Sequence, residues 1–119
     1  MEVHSLAGAE PFVTADGSTI RELFGLPTGG VEQQSMAEAT LAPGQATQRH
    51  YHRASEEIYF VFDGEGEMEL DGERRRVDVG DAIAIPPGAW HELRAGGDRP
   101  LRILCCCAPP YRHEDTFFE

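Results

Sequence analysis

The chain has 119 residues, 40% of them hydrophobic, and its 21 acidic against 10 basic side chains leave a net charge of −11. That length suits one domain rather than two independent cores, so a single domain over 1–119 is expected. The acidic surface repels phosphate backbones and anionic lipid heads, so no nucleic acid and no membrane is expected as a partner.

All ten cations are arginine, which removes Schiff-base lysines and the phosphate-cradling lysine of a P-loop. No apolar run reaches the ~20 residues that span a bilayer. The first residues, MEVHSLAGAEPF, lack the basic start and apolar stretch of a secretory signal, so a cytoplasmic protein is the expectation. The three consecutive cysteines, Cys105 to Cys107, fit neither a disulfide framework nor a CxxC zinc site and read as free thiols.

Along the chain, two-residue alternation and closely spaced turn signals predict an all-β sandwich or barrel. Ser18 to Phe24 is ambiguous: Thr19-Ile-Arg-Glu22 resembles a helix capping box, but the segment is short and suits a strand equally. Strands are predicted over Gln33–Leu41, Glu57–Asp63, Glu67–Leu70, Arg74–Val79, Asp81–Ile85, Trp90–Ala95 and Leu101–Ala108. Asp71-Gly72 is a hairpin signal because both residues tolerate positive φ. The aromatic tail Pro109 to Phe118 is expected to pack across the barrel or a dimer partner. His113, Glu114 and Asp115 within it are ligand types, but a structural or surface role is expected of them.

The chemistry concentrates in His50-Tyr51-His52. On a strand, residues two apart share a face, with Cα atoms roughly 6.5–7 Å apart, so two imidazoles can converge on one ion. Glu57 heads the apolar run Ile58 to Phe62, where an unpaired carboxylate is costly to bury. His91 follows the rigid corner Pro86-Pro87-Gly88, which can swing its side chain inward.

These pieces resemble the two motifs of the cupin superfamily. Gly44, His50-x-His52, Glu57 and Gly64 match the first motif within 44–64, and Gly80, Pro86-x-Gly88 and His91 match the second within 80–95. The resemblance implies a small single-domain cupin, a double-stranded β-helix of the jelly-roll kind. It also implies one divalent transition metal (Fe, Mn, Ni, Co, Cu or Zn) held by His50, His52, Glu57 and His91. One departure is Ala95, where the second motif usually ends in Asn; that Asn is not a ligand, so only a loop contact comes into question.

Three imidazoles and a carboxylate leave one or two positions for water or substrate, which suits a catalytic or ligand-binding site better than a structural zinc. Glu57 and Tyr59 are the candidate catalytic residues, Glu57 as proton acceptor and Tyr59 as donor to substrate. By parity Tyr59, Val61, Ile83, Ile85 and Leu93 should line a cavity for a compact small-molecule ligand, with Glu56 facing solvent. Gln48 is a candidate for supporting the histidines. On the last long strand Ile103, Cys105 and Cys107 should point inward and Arg102 outward. Ile58, Phe60 and Phe62 make the other face of their strand equally apolar, which predicts a cover from a second subunit and hence a homodimer.

A metal-dependent oxygenase or isomerase acting on a small oxygenated molecule is the leading functional expectation. The alternative is a non-catalytic module that binds or senses a metabolite through the metal. A sugar-nucleotide epimerase would need a His–Tyr acid/base pair instead of a metal, against which the intact ligand set argues.

Overall fold

The structure is a computed structural model that describes all 119 residues. Its strands are β1 (Phe12–Val13), β2 (Thr19–Phe24), β3 (Ser35–Leu41), β4 (His50–His52), β5 (Glu56–Asp63), β6 (Glu65–Leu70), β7 (Glu73–Asp78), β8 (Ala82–Ile85), β9 (His91–Ala95), β10 (Leu101–Ala108) and β11 (Thr116–Phe118). They form two antiparallel sheets, ordered β1-β2-β3-β10-β5-β8 and β11-β4-β9-β6-β7. This is the all-β jelly roll that the motifs imply.

Alternation decides which side chains fill the barrel. On β5, Glu57, Tyr59 and Val61 are buried while Glu56, Ile58 and Phe60 face out. On β10, which lies between β3 and β5, Leu101, Ile103 and Cys107 are buried. Leu41, Val61, Val77, Leu93 and Leu101 are each at most 2% exposed and belong to one hydrophobic cluster that joins the two sheets. Burial of each such side chain contributes roughly 1.5–3 kcal/mol as an upper estimate.

The hairpin forms where Asp71-Gly72 predicts it: Asp71 has φ 47° and Gly72 φ 90°, and Leu70 pairs directly with Glu73. Ser18 to Phe24 resolves as strand, not helix. Thr19 and Ile20 pair with Thr40 and Ala39 of β3, whose open edge supplies the hydrogen bonds that a helix would otherwise have to make internally. β1 and β11 are two and three residues long, too short to show an alternation in sequence. The tail packs within its own chain, β11 pairing antiparallel with β4.

The outer face of the larger sheet carries the apolar side chains for which cover by a second subunit is expected. Ile58 is 50%, Phe60 40% and Met36 38% exposed in the single chain. Phe62 is half-buried beneath the Arg102 guanidinium, 4.8 Å above its ring. Beside them Glu38 also points outward, yet its side chain is fully buried. Arg102 Nε donates to it at 2.8 Å, the Thr40 hydroxyl donates at 2.9 Å, and Arg21 lies 3.5 Å away.

Glycine is required where β6 passes over the barrel rim. A Cβ on Gly66 would lie 2.3 Å from the Arg94 carbonyl oxygen and 2.8 Å from Leu101 Cδ2. The backbone oxygen cannot retreat without breaking the β6–β9 ladder. Gly66→Ala is therefore expected to destabilise the fold by roughly 1–3 kcal/mol, as overpacked core sites do. A urea-unfolding midpoint unchanged from the parent would contradict this close approach.

Candidate metal centre

The site is assembled by three strands. β4 carries His50 and His52 on its inward face, and its one direct pairing with β9 sets His50 opposite His91. β5 delivers Glu57 from the facing sheet. All four side chains are at most 6% exposed, and His91 is fully buried.

The imidazoles point at one another because their far nitrogens are held from outside. His50 Nδ1 lies 2.7 Å from the Gln48 carbonyl oxygen, and His91 Nδ1 lies 2.9 Å from that of Ala89. In both cases the carbonyl belongs to the residue two positions earlier. A carbonyl only accepts, so each Nδ1 carries the proton and each Nε2 presents a lone pair inward. His52 Nδ1 lies 3.3 Å from the Thr116 hydroxyl, which donates its own proton to the Arg112 carbonyl at 3.2 Å. The Thr116 oxygen is thereby left to accept from Nδ1, and the same tautomer follows.

Ligand atoms of His50, His52 and His91 all lie within 4.8 Å of one another. Glu57 Oε1 stands 3.3 Å from His52 Nε2 and 3.6 Å from His91 Nε2, placed for charge attraction but not aligned for hydrogen bonds. Glu57 Oε1 and His91 Nε2 are consequently buried without a hydrogen-bond partner. Buried polar atoms rarely stay unpaired. Three inward lone pairs beside a carboxylate oxygen form a donor set that fits a divalent transition ion.

The electrostatics follow from burial and crowding. Burial, then repulsion from His91, pushes the His50 imidazole down to about 4. Burial also opposes a charge on His52, but Glu57 outweighs it, with Asp115 adding to the effect, and its pKa is raised. Burial alone would raise the Glu57 carboxyl; His52 and His91 prevail and hold it at about 2.

Glu57 has a second restraint. The Cys107 thiol donates to Oε2 at 3.2 Å, leaving Oε1 to face the imidazoles. Burial and the Glu57 charge push that thiol far above its ordinary range, so it stays protonated. Cys105 and Cys107 both face the cavity as their parity predicts. Burial, and then Glu57, likewise push the Tyr59 phenol up, so Tyr59 stays neutral and able to donate.

A cavity of about 70 Å³ adjoins the cluster and touches His50, His52, Glu57 and Tyr59. Leu41, Leu93, Leu101 and Ile103 form its apolar wall, and Asp16 and Tyr111 border it too. One water needs roughly 10–15 Å³ of such space, so the cavity suits a few waters or a compact molecule. Val61, Ile83 and Ile85 do not line it, although their parity is inward. They pack in the core, because the cavity lies off-centre toward β2, β3 and β10. Gln48 supports the site with its backbone carbonyl, not its side chain, which is exposed. Chain irregularity before β4 breaks the parity that would have turned it inward. Glu56 is exposed, as expected.

Sequence reasoning missed Thr116 and Asp16. Nothing near Thr116 marks it, since its role arises from a pairing between distant strands. Asp16 sits in an Asp-Gly turn whose local signal is structural: its Oδ1 accepts from the Thr14 and Ser18 hydroxyls, each at 2.6 Å.

The sequence matches the cupin domain family over residues 37–107, and the chain belongs to that family. An uncharacterized protein of Methanocaldococcus jannaschii is 48% identical over 107 residues, which cover 90% of this chain and 86% of that one. The polyketide synthase CurC of Streptomyces cyaneus is 32% identical over 93 residues, 78% of this chain and 60% of that protein. The quercetin 2,3-dioxygenase of Bacillus subtilis is 31% identical over 105 residues, 81% of this chain but 31% of the enzyme. A crystal structure of a protein from Planctomyces limnophilus superposes with a TM-score of 0.83 at 28% identity, covering 99% of this chain and 96% of that one. The chain thus spans most of the archaeal relative and much less of the other two sequences.

The charge pattern dictates how the metal-free protein responds to acid. His50 has a lower pKa folded than unfolded, so the unfolded chain binds more protons between about 4 and 6.5. Its contribution to stability is complete above the unfolded value and is lost as the pH falls toward the folded one. His52 has the opposite sign, its contribution being present at low pH and lost as the pH rises through its raised folded value. The chelator-treated protein should therefore lose stability on acidification across that window, and His50→Gln should flatten the decline. Equal slopes for parent and variant in urea titrations would show that His50 does not carry it.

Proposed function

We propose that the protein is a metal-dependent enzyme of the oxygenase or isomerase class, holding one divalent transition ion through His50, His52, Glu57 and His91. The observation that carries this reading is the buried, inward-facing set of imidazole nitrogens beside Glu57 Oε1, with His91 Nε2 and that oxygen left unpartnered. Similarity to a dioxygenase over most of this chain supports the oxygenase side. When bound, the ion supplies Lewis acidity and open coordination positions for oxygen atoms of a substrate, and for dioxygen if the metal is redox-active.

The substrate in this reading is a small oxygenated organic molecule with an apolar body. Its oxygens lie toward the imidazoles, and its body rests against Leu41, Leu101 and Ile103. Tyr59, neutral and facing the same cavity, orients it by donating a hydrogen bond. Glu57, whose low pKa keeps it ionised, accepts a proton from an acidic C–H, while the apolar wall excludes water. The enzyme works in the cytoplasm, where the three free thiols stay reduced.

It does so as a homodimer. Met36, Ile58 and Phe60 spread exposed apolar surface across β3 and β5, and the acid beside them, Glu38, is neutralised by Arg102 and Arg21. Elsewhere two copies at −11 each repel. Identical apolar faces are self-complementary about a two-fold axis.

Three measurements test these readings. Elemental analysis should find one transition ion per parent chain and little in His52→Ala or His91→Ala; unchanged metal content in both variants would remove the metal site. Glu57→Gln at full metal occupancy should lose most turnover in an oxygen-electrode screen with flavonols, catechols and diketones. Light scattering after size exclusion should give twice the chain mass at micromolar concentration, and Phe60→Glu should give the monomer. A parent that elutes as a monodisperse monomer would refute the dimer.

A further inference from the structure

β4 holds two of the four proposed ligands, yet it is only three residues long and meets β9 at a single residue pair. Its fuller ladder is with β11, where Thr116, Phe117 and Phe118 pair with His52, Tyr51 and His50. Three-residue strands do not hold their shape alone. The geometry of the ligand strand therefore depends on the C-terminal segment, which lies outside the residues matched by the family, 37–107.

The same segment grips the turn that links His52 to Glu57. Asp115 Oδ1 accepts from the backbone N–H groups of Arg53 at 3.1 Å and Ala54 at 3.0 Å. Its Oδ2 accepts from Ala54 and Ser55, each at 3.1 Å. Successive N–H groups converging on one carboxylate form an anion-binding nest. The Ser55 hydroxyl closes the other side by donating to the Pro109 carbonyl at 2.8 Å. Arg53 stacks over the Phe117 ring at 4.6 Å, and the Phe117 and Tyr51 rings stack at 5.1 Å. Next to Asp115, the Thr116 hydroxyl faces His52 Nδ1.

We propose that Pro109–Glu119 is a positioning strap for the metal centre, with Asp115 fixing the 53–55 turn between two ligands and Thr116 holding the His52 ring. Neither residue reaches the metal; each acts through a ligand. This rests on the metal site proposed above. Partners of this kind orient ligands closely enough that their loss weakens metal binding by roughly 10–100-fold. The strap also explains why Asp115 lies beside His113 and Glu114 without joining a ligand set: both of its oxygens are already committed to backbone.

The test uses the full chain and Co(II) as the probe, reading affinity by competition and ligand geometry by the visible absorption bands. Asp115→Ala should bind Co(II) roughly 10–100-fold more weakly, with shifted bands. Asp115→Asn, which keeps one acceptor oxygen, should recover part of both, and exposed Glu114→Ala should match the parent. If Asp115→Ala does not fold, Thr116→Val carries the test, since it keeps the strand shape and removes the acceptor of His52 Nδ1–H together with one hydrogen bond to the Arg112 carbonyl. Parent-like affinity and bands in the folded variant would overturn the strap while leaving the metal site standing. A parent chain that takes up no Co(II) would overturn both.

Discussion

A carboxylate facing three imidazoles in a dry barrel is the constraint around which the rest of the structure is arranged. Burying Glu57 is unfavourable by itself, and burying three neutral imidazoles with their lone pairs turned inward adds repulsion between those lone pairs. The cluster persists because its opposing effects are matched: the imidazoles hold Glu57 ionised, and Glu57 in turn raises the pKa of His52. Removing one member of such a set leaves an uncompensated buried charge, which costs more than the pair contributes. A bound divalent cation satisfies the same set better than a proton can, because it meets all the inward atoms at once.

Holding the atoms in that arrangement falls to groups with no ligand character. Each histidine arm uses an acceptor behind the ring: the carbonyls of Gln48 and Ala89, and the hydroxyl of Thr116. The first two come from the residue two positions earlier, so the chain entering the strand that places each histidine also sets its tautomer. Cys107 does the equivalent for Glu57 by occupying Oε2. Cysteine suits this place because a buried thiol resists ionisation beside a carboxylate.

Much of the fold was legible because it depends on local period. Alternation along β5 and β10 marks their inward faces, and Asp71-Gly72 names its own turn. The buried cluster of three histidines and Glu57 was legible for a different reason: the two family motifs need particular residue types at particular spacings, and two separate stretches satisfied them together. What the sequence could not carry is whatever depends on pairing across distance. β1 and β11 are too short for a period, Thr116 is recognised only beside His52, and Gln48 contributes an atom every residue possesses. The cavity lining failed for Val61, Ile83 and Ile85 because parity tells inward from outward but not where along the barrel the space lies.

Ala95 shows how such a gap in a motif is closed. What the missing Asn puts in question is a loop contact, a tie between segments. Here the backbone makes that tie: Gly44 N–H donates to the Ala95 carbonyl at 3.1 Å, and Ala95 N–H donates to the Gln45 carbonyl at 2.9 Å. Thr47 N–H donates to the Leu93 carbonyl at 2.9 Å, and its hydroxyl accepts from Leu93 N–H at 3.0 Å. Three main-chain bonds and one buried hydroxyl hold the loop before β4 against β9, which keeps His50 opposite His91. Ala95 itself lies opposite Gly66 in the β6–β9 ladder, where a Cβ on that glycine would meet the Arg94 carbonyl oxygen. The departure from the motif thus leaves in place both the tie between the two stretches and the atoms that would hold the metal.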